Sequence, residues 1–566
     1  MSESLVQSVT INKYQFSKDG STEYALNVFM KNAWPIVYII KNDELKEAYV
    51  GESTNAIYRM QNHLANPDRL KLKDLLVISC DKFNKSAVLD IESNLIKYMG
   101  SDGRYKLQNG NAGLVDHNYY QRDFYQSLFD KIWQFLLKEN YAKNPLQRID
   151  NSDLFKYSPY KALNDDQHES VSQILKILSS VEQKTIFVEG GAGTGKTILA
   201  VYLMKLLNTS IQAYHVDESD EIYSEQILHV LEYRKKVSKP KTALVVPMTS
   251  LRKTLRKVFA QVKGLSASMV IGPSEAASSK VPYDVLIIDE AHRLRQRKNI
   301  TNFASFDQAN ERLGFDKYTG NELDWIVKQS KVQILFYDEG QSIKPSDIGQ
   351  SVFQSKKFSS RLLQLKSQMR VKGGLDYISF VDNLLNVRES FLKPFDSKEY
   401  ELKIFDSLVD LYEALRLKEE EYGLCRLLSG YSWEWKSQKA DVPDIELDGL
   451  ALKWNSTNED WINSPNSFSE VGCIHTTQGY DLNYAGIIFG TEITFNEEYN
   501  QIEVIPSNYK DKKGKQGVND INNLRSYILN IYKTMMLRGM KGTYIYVCDE
   551  KLKKYFRKNI KLSVGE

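Results

Sequence analysis

The sequence predicts an α/β fold in which a small α+β unit precedes two larger lobes built on parallel sheets. Three observations carry that reading. From about Lys161 onward, short apolar, β-branched runs alternate with helical stretches, the pattern of strands buried between layers of helices. At residues 187–200 the text reads FVEGGAGTGKTILA, a strand, a glycine-rich turn and a helix in that order. Upstream, residues 34–114 read as two short strands, a helix, a strand and a second helix, closed by a loop rich in Gly and Asn.

Taken in order, residues 1–30 are mixed and polar, with room for a lead-in strand. Strands are predicted at 36–40 and 48–50, around the polar turn KNDELKE, and a helix at 56–64. Another strand follows at 75–79. Residues 87–99 carry apolar side chains at helical spacing, and 100–113 read as a loop. Residues 115–160 are aromatic and charged, and FYQSLFDKIWQFLLKE within them is an amphipathic helix. Beyond them, strands are predicted at 185–188, 243–246, 285–288, 333–337, 487–489 and 544–547. Residues 455–469 and 509–517 read as exposed loops, and KLKKYFRKNIKL as a terminal helix with one packed and one solvated face. The resulting boundaries are a lead-in (1–30), the small unit (31–116), a helical connector (117–160) and two lobes (161–350 and 351–566).

Composition narrows the class. No apolar run approaches the roughly 20 residues that cross a bilayer, so no membrane partner is expected. The N-terminus lacks the basic flank and apolar core of a secretion signal. Cys80, Cys425, Cys473 and Cys548 are far apart and have no metal-knuckle spacing, which points to a reducing cytoplasm. A net charge of +3 is too small to argue nucleic-acid binding by itself. Oligomeric state and protein partners are not legible.

The phosphate loop is Gly190-x4-Gly195-Lys196-Thr197, with Gly193 inside it. Glycines let backbone N–H groups approach phosphates, and the following helix adds its positive end. Lys196 is expected to reach the outer phosphates of ATP, and the Thr197 hydroxyl to ligate Mg²⁺. In DVLIIDEAH, four apolar residues lead to Asp289 and Glu290 at the carboxyl end of a strand, where such sheets bind ligands. Asp289 is expected on Mg²⁺, and Glu290 on the attacking water.

With these motifs in place, the text from about Leu163 to Cys548 resembles superfamily 1 helicases, with two RecA-like domains. LNDDQ places Gln167 like an adenine-reading glutamine. LFYDEGQSI places Asp338 and Gln341 like a γ-phosphate sensor. LKSQMR offers Arg370, HTTQGYDLNYAGIIFG offers Gln478, Gly479 and Asp481, and MLRGMKGTYIYV offers Arg538. The resemblance implies that Arg370 and Arg538 clamp the γ-phosphate. SGYSWEW, QGYDLNYAG and RGMKGTYIYV most resemble the Schlafen-like group 3 DNA/RNA helicase domain, although Leu537 stands where that pattern has threonine.

The small unit resembles the GIY-YIG nuclease domain. Tyr38 stands in the first motif, with Ile36 at the name-giving glycine, and Tyr49-Val50-Gly51 form the second. Arg59 and His63, four apart, share a helix face. Glu92 matches the single metal-binding glutamate. Asn109 and Asn111 compete for the asparagine that follows, and Asn109 is preferred. One carboxylate can hold one Mg²⁺ with waters attached, and a guanidinium can pair with phosphate oxygens. A cation beside Tyr38 is expected to lower its pKa and make it the general base. His63 is the alternative base, or accepts the tyrosine's proton.

Together these resemblances imply an ATP- and Mg²⁺-dependent motor fused to an endonuclease, with nucleic acid as partner and DNA favoured over RNA. Bacterial anti-phage defence or DNA processing is the implied setting. An ATP-gated binding switch without translocation and an RNA-directed nuclease are the alternatives.

Overall fold

The structure is a computed structural model. It describes residues 9–110, 119–161, 163–180, 184–211, 221–341, 345–457, 460–477, 480–516, 518 and 520–562. The chain divides into two compact units. The first comprises Met1–Glu182, Thr197–Thr242 and Leu255–Val270, and the second Gln183–Lys196, Ala243–Thr254 and Ile271–Glu566.

The first unit is built around a five-stranded sheet of β1 (Thr10–Gln15), β2 (Ile36–Asn42), β3 (Glu47–Ser53), β4 (Asp74–Ser79) and β5 (Lys106–Leu107), in the order β1-β4-β2-β3-β5. The first four pair antiparallel, and β5 lies parallel to β3. Side chains alternate between faces, as a period of two requires. Val37, Ile39, Val50, Leu76 and Ile78 pack under the helices Lys85–Asp102 and Arg122–Lys138. Ile36, Tyr38, Ile40, Tyr49, Leu75 and Val77 pack on the opposite face with the helix Ala56–Ala65. Tyr38 lies opposite Gly51 in the β2–β3 register. A Cβ at residue 51 would overlap the Tyr38 hydroxyl, so the glycine of the second motif makes room for the tyrosine of the first. The helix Lys85–Asp102 starts where the Asn84 side chain accepts from Ala87 N, and it stops at Gly103 with φ +75°. It therefore runs into the stretch expected to be a loop, which also holds β5.

The second unit carries two sheets. Strands β6 (Thr185–Gly190), β7 (Thr242–Val245), β8 (Val270–Ile271), β9 (Tyr283–Ile288), β10 (Ser330–Tyr337) and β11 (Arg361–Leu365) order as β11-β6-β10-β9-β7-β8. The pairs β11–β6, β6–β10 and β10–β9 are parallel. The other sheet contains β12 (Glu401–Ile404), β13 (Cys425–Ser429), β14 (Ile445–Leu447), β15 (Leu450–Trp454), β16 (Glu470–Gly472) and β17 (Leu482–Phe489). After a separate hairpin of β18 (Ile493–Asn496) and β19 (Gln501–Val504), β20 (Gly539–Val547) completes it. Its order is β12-β20-β17-β13-β16-β15-β14, parallel except for the β14–β15 pair. Every strand predicted from an apolar run is present; each extends beyond its run except β7, which starts at Thr242 and stops at Val245, one residue short of the predicted end. The α/β class with parallel sheets is the fold observed.

Two expectations about loops are corrected. Trp461, inside 455–469, is fully buried, and its Nε1 donates to Glu470 Oε2 at 2.7 Å. Tyr509 is buried as well, and a short helix, Lys512–Lys515, follows it. Polar neighbours masked both aromatic anchors in the sequence. The terminal helix, Glu550–Asn559, buries Leu552, Tyr555 and Phe556, with Tyr555 stacked on Phe495 at 4.5 Å. Among the described residues no helix is long and apolar enough to cross a membrane, and the four cysteines are free.

Glu401 ties β12 to its neighbours. Its carboxylate accepts from Lys418 Nζ (2.8 Å), Tyr484 OH (3.0 Å) and Tyr544 OH (2.8 Å). Burial pushes its pKa up, but these donors and the Lys418 charge outweigh burial and bring it down to about 2. A depressed carboxylate stabilises the fold above its unfolded pKa of about 4.3, and that stability is lost as pH falls toward the folded value. Glu401→Gln is therefore expected to flatten the fall in stability between roughly pH 4 and pH 2, measured by chemical unfolding across that range.

Candidate nucleotide site and tyrosine cluster

The loop after β6 turns on Gly193 (φ +85°) and Gly195 (φ +81°), a backbone region that favours glycine. Lys196 is buried. Its Nζ donates to Gly190 O (2.5 Å), Gly191 O (2.8 Å) and Asp338 Oδ2 (3.2 Å). The segment after β11 leans on the same loop. Gln368 Nε2 donates to Ala192 O at 2.6 Å, and Met369 N donates to Gly193 O at 2.9 Å. A Cβ at Gly193 would overlap the Gln368 side chain and crowd Arg370 Cβ, so Arg370 stands beside the loop. Its Nε pairs with Asp481 Oδ1 at 2.5 Å.

Acids gather at the carboxyl ends of β9 and β10. Asp289 is fully buried, and its Oδ1 accepts from Glu290 N at 3.0 Å. Glu290 has φ +52°, a strained setting for a residue with a side chain. Its Oε2 lies 2.9 Å from His292 Nε2. Burial raises the Glu290 pKa, but His292, Lys196 and Arg538 outweigh burial and hold it well below the usual carboxylate range. Asp338 is shifted the same way: burial opposes its charge, and Lys196, His292 and a hydrogen bond from Gln341 prevail. Arg538 is buried, with Nη1 donating to Tyr480 O at 3.1 Å.

The structure thus brings Lys196, Glu290, Asp338, Gln341 and Arg538 into one charged cluster, with Arg370 and Asp481 beside the loop. Its cations suit a polyphosphate and its ionised acids suit a divalent ion. Among the described residues no group of three His, Cys, Asp or Glu side chains is placed to hold a metal ion. Thr197 is half-buried on the helix Lys196–Asn208 and belongs to the first unit. So does Gln167, which is buried and caps its own helix: Asn164 N donates to its Oε1 (3.1 Å) and its own N donates to Asn164 Oδ1 (2.9 Å). Gln478 and Gly479 lie outside the described residues.

In the first unit, Tyr38, Tyr49, Arg59 and His63 meet on one face of the sheet. The Tyr38 hydroxyl lies 2.8 Å from His63 Nε2, and the His63 ring packs 4.9 Å from the Tyr49 ring. Arg59 acts on both tyrosine oxygens by charge and hydrogen bonding, which raises its pKa against burial. Arg69, absent from the sequence expectations, completes the cluster. Its Nη1 donates to His63 Nδ1 at 2.8 Å, and its guanidinium sits 3.5 Å over the Tyr49 ring.

Two expectations are corrected by this arrangement. Burial, with Tyr49 adjacent, pushes the Tyr38 phenol well above its ordinary value, and Arg59 and Arg69 do not offset it. A guanidinium can only donate, so His63 Nδ1 must be the acceptor and the ring proton sits on Nε2. His63 therefore donates to Tyr38 and has no lone pair there to take the tyrosine's proton. Its geometry supports a tyrosinate; it does not generate one.

Glu92 is half-buried on the helix Lys85–Asp102, which covers the face of the sheet opposite Tyr38, so the structure does not bring it onto the face that carries Tyr38, Tyr49, Arg59 and His63. Asn109 is buried and pairs with β3, accepting from Val50 N (3.1 Å) and donating to Val50 O (2.9 Å). It holds the strand between Tyr49 and Gly51. Asn111 lies outside the described residues. His292 stood in plain view in DEAH. Arg69 carried no signal, since it enters from a turn six residues after His63.

Replacing Arg69 by Met removes the donor that selects the His63 tautomer. Nitrogen NMR of the imidazole is expected to show one Nε2–H form in the parent and a mixture of tautomers in Arg69→Met.

A Saccharomyces cerevisiae protein, the uncharacterized protein YPL245W, is 27% identical over 402 residues, covering 65% of this chain and 82% of its own length. Among solved structures, a Bacteroides Pif1 helicase in complex with ADP-AlF3 and ssDNA is 13% identical, with a TM-score of 0.27, over 69% of this chain and 92% of its own. The arterivirus helicase nonstructural protein 10 is 12% identical, with a TM-score of 0.26, over 67% of this chain and 63% of its own. Residues 183–549 match the family described as Schlafen group 3, DNA/RNA helicase domain. That span is more than half of the chain and holds the phosphate loop, the Asp289-Glu290 strand end and both arginines, so the chain belongs to the Schlafen group 3 DNA/RNA helicase domain family.

Proposed function

We propose that this protein is an ATP-hydrolysing, superfamily 1 type motor acting on nucleic acid, with a GIY-YIG-type endonuclease at residues 31–116 joined by 117–160 to RecA-like lobes at 161–350 and 351–566. The observation that carries the motor reading is the placing of Lys196 on Asp338 at 3.2 Å and of His292 on Glu290 at 2.9 Å, with Arg538 also acting on Glu290. Lys196 would exchange its loop carbonyls for the outer phosphates of ATP. Glu290, kept ionised and held by His292, would orient the attacking water. Arg538 and Arg370 would stabilise charge that develops on the γ-phosphate. Gln341, already on Asp338, would report the state of that phosphate. Thr197 and Asp289 would hold Mg²⁺, which when bound neutralises phosphate charge.

For the nuclease, Arg59 would pair with the scissile phosphate while acting on Tyr38 and Tyr49. His63, as a donor, would stabilise negative charge on the Tyr38 oxygen. Glu92 would hold the metal, and Asn109 would keep β3 and Tyr49 in register. DNA is the favoured substrate, and genome defence or DNA processing is the setting such a fusion suits. In this reading ATP turnover controls cutting.

Lys196→Ala is expected to abolish ATP turnover, and Glu290→Gln to slow it by about 10²- to 10⁴-fold, measured as phosphate release. Undiminished turnover in Lys196→Ala would rule out the motor assignment. In a cleavage assay with Mg²⁺, with and without ATP, on duplex DNA, single-stranded DNA and RNA, Glu92→Gln is expected to lose cutting while keeping ATP turnover. Equal cutting by parent and Glu92→Gln would reject the nuclease; cutting of RNA alone would move the substrate; and cutting indifferent to ATP would reject the coupling.

A further inference from the structure

Within the first unit, Arg69 has a second neighbourhood. It lines a cavity of about 220 Å³ together with Asp68, Gln108, Lys205, Asn208 and Lys263. Three of these are cations. Lys205 and Arg69 are almost fully buried, at 3% and 4% exposure. Lys205 Nζ donates to Lys263 O at 2.8 Å. Opposing charge is limited: Asp68 pairs with Lys71 at 3.1 Å, and Glu47, outside the lining, pairs with Lys263 at 2.7 Å. Counting the lining side chains with Glu47 leaves an excess of positive charge. Burying unneutralised cations costs several kcal/mol, so a built cluster of this kind calls for an anion.

We propose that this cavity binds a small phosphate-bearing molecule. Its volume is below the roughly 300 to 1,000 Å³ of pockets for drug-sized ligands, which favours a compact anion. Burial, with Lys263 nearby, pushes the Lys205 pKa down to about 7, and an arriving anion would hold it charged. Gln108 sets the choice among anions. Its Nε2 is committed to Glu47 Oε2 (2.8 Å) and Asp68 O (3.2 Å), while its Oε1 is buried without a hydrogen-bond partner among the described residues. An acceptor in a cationic cavity is matched by an oxyanion that keeps a proton. Hydrogen phosphate has one at neutral pH, and sulfate does not. The site shares Arg69 with the Tyr38–His63 cluster, so its occupant bears on the guanidinium that sets the His63 tautomer. The binding claim stands independently of the nuclease reading.

The test is calorimetric titration of the full chain with inorganic phosphate and with sulfate. The Lys196→Ala background removes the lysine contribution of the phosphate loop. In that background phosphate is expected to bind, and adding Lys205→Met is expected to weaken it at least about tenfold, the scale of one lost charge-assisted hydrogen bond. Sulfate is expected to bind at least about tenfold more weakly than phosphate, because Gln108 Oε1 would face an acceptor. If Lys205→Met lowers the unfolding midpoint, Lys263→Met, whose parent side chain is one-third exposed, replaces it with the same direction of effect. The proposal is overturned if Lys196→Ala binds no phosphate at millimolar concentration, if the lysine substitutions leave affinity unchanged, or if sulfate binds as tightly as phosphate.

Discussion

Burying opposite charges together is the constraint on which the helicase-like part of this protein depends. An ion removed from water costs several kcal/mol unless partners surround it. At the carboxyl ends of β9 and β10, Glu290 meets that condition through His292, Lys196 and Arg538, and Asp338 through Lys196, His292 and Gln341. No member is independent, since removing one leaves the others buried and unbalanced. Lys196 is held by carbonyls and one carboxylate that phosphate oxygens can replace, and Glu290 is held by a histidine in a strained backbone position. Strain of this kind persists only where surrounding contacts overdetermine it.

The tyrosine cluster of the first unit follows a different logic. There the buried groups are mostly neutral, and hydrogen-bond direction organises them. Arg69 can only donate, His63 must then accept at Nδ1 and donate at Nε2, and Tyr38 receives that bond. Packing sets the frame: Gly51 clears space for the Tyr38 hydroxyl, and Asn109 holds β3 beside it. Burial, with Tyr49 adjacent, holds the Tyr38 phenol protonated, while Arg59 and Arg69 act against it.

Much of this was legible in one dimension because it rests on local rules. Apolar, β-branched runs marked β6, β7, β9, β10, β17 and β20, since a strand buried on both faces carries few polar residues, whereas the central β13, equally buried, was hidden by Arg426 and Ser429. Glycines of the phosphate loop marked positive φ at Gly193 and Gly195. The acids ending β9 were legible because a buried strand leaves few places for an acid except its end. The short strands β14 to β16 and the edge strand β11 lacked such runs, and the buried Trp461 sat among polar neighbours.

What the amino-acid order determined by itself was the set of elements and the inventory of reactive groups, because periodicity, turn chemistry and motif spacing act over a few residues. Only the tertiary structure decided protonation, tautomer and charge state. Those depend on burial and on partners distant in the chain, as in Asp338 beside Lys196 or Lys205 beside Lys263. Arg69 shows the division plainly: one arginine among many in the text, it directs the proton of His63 because folding lays its guanidinium against that ring.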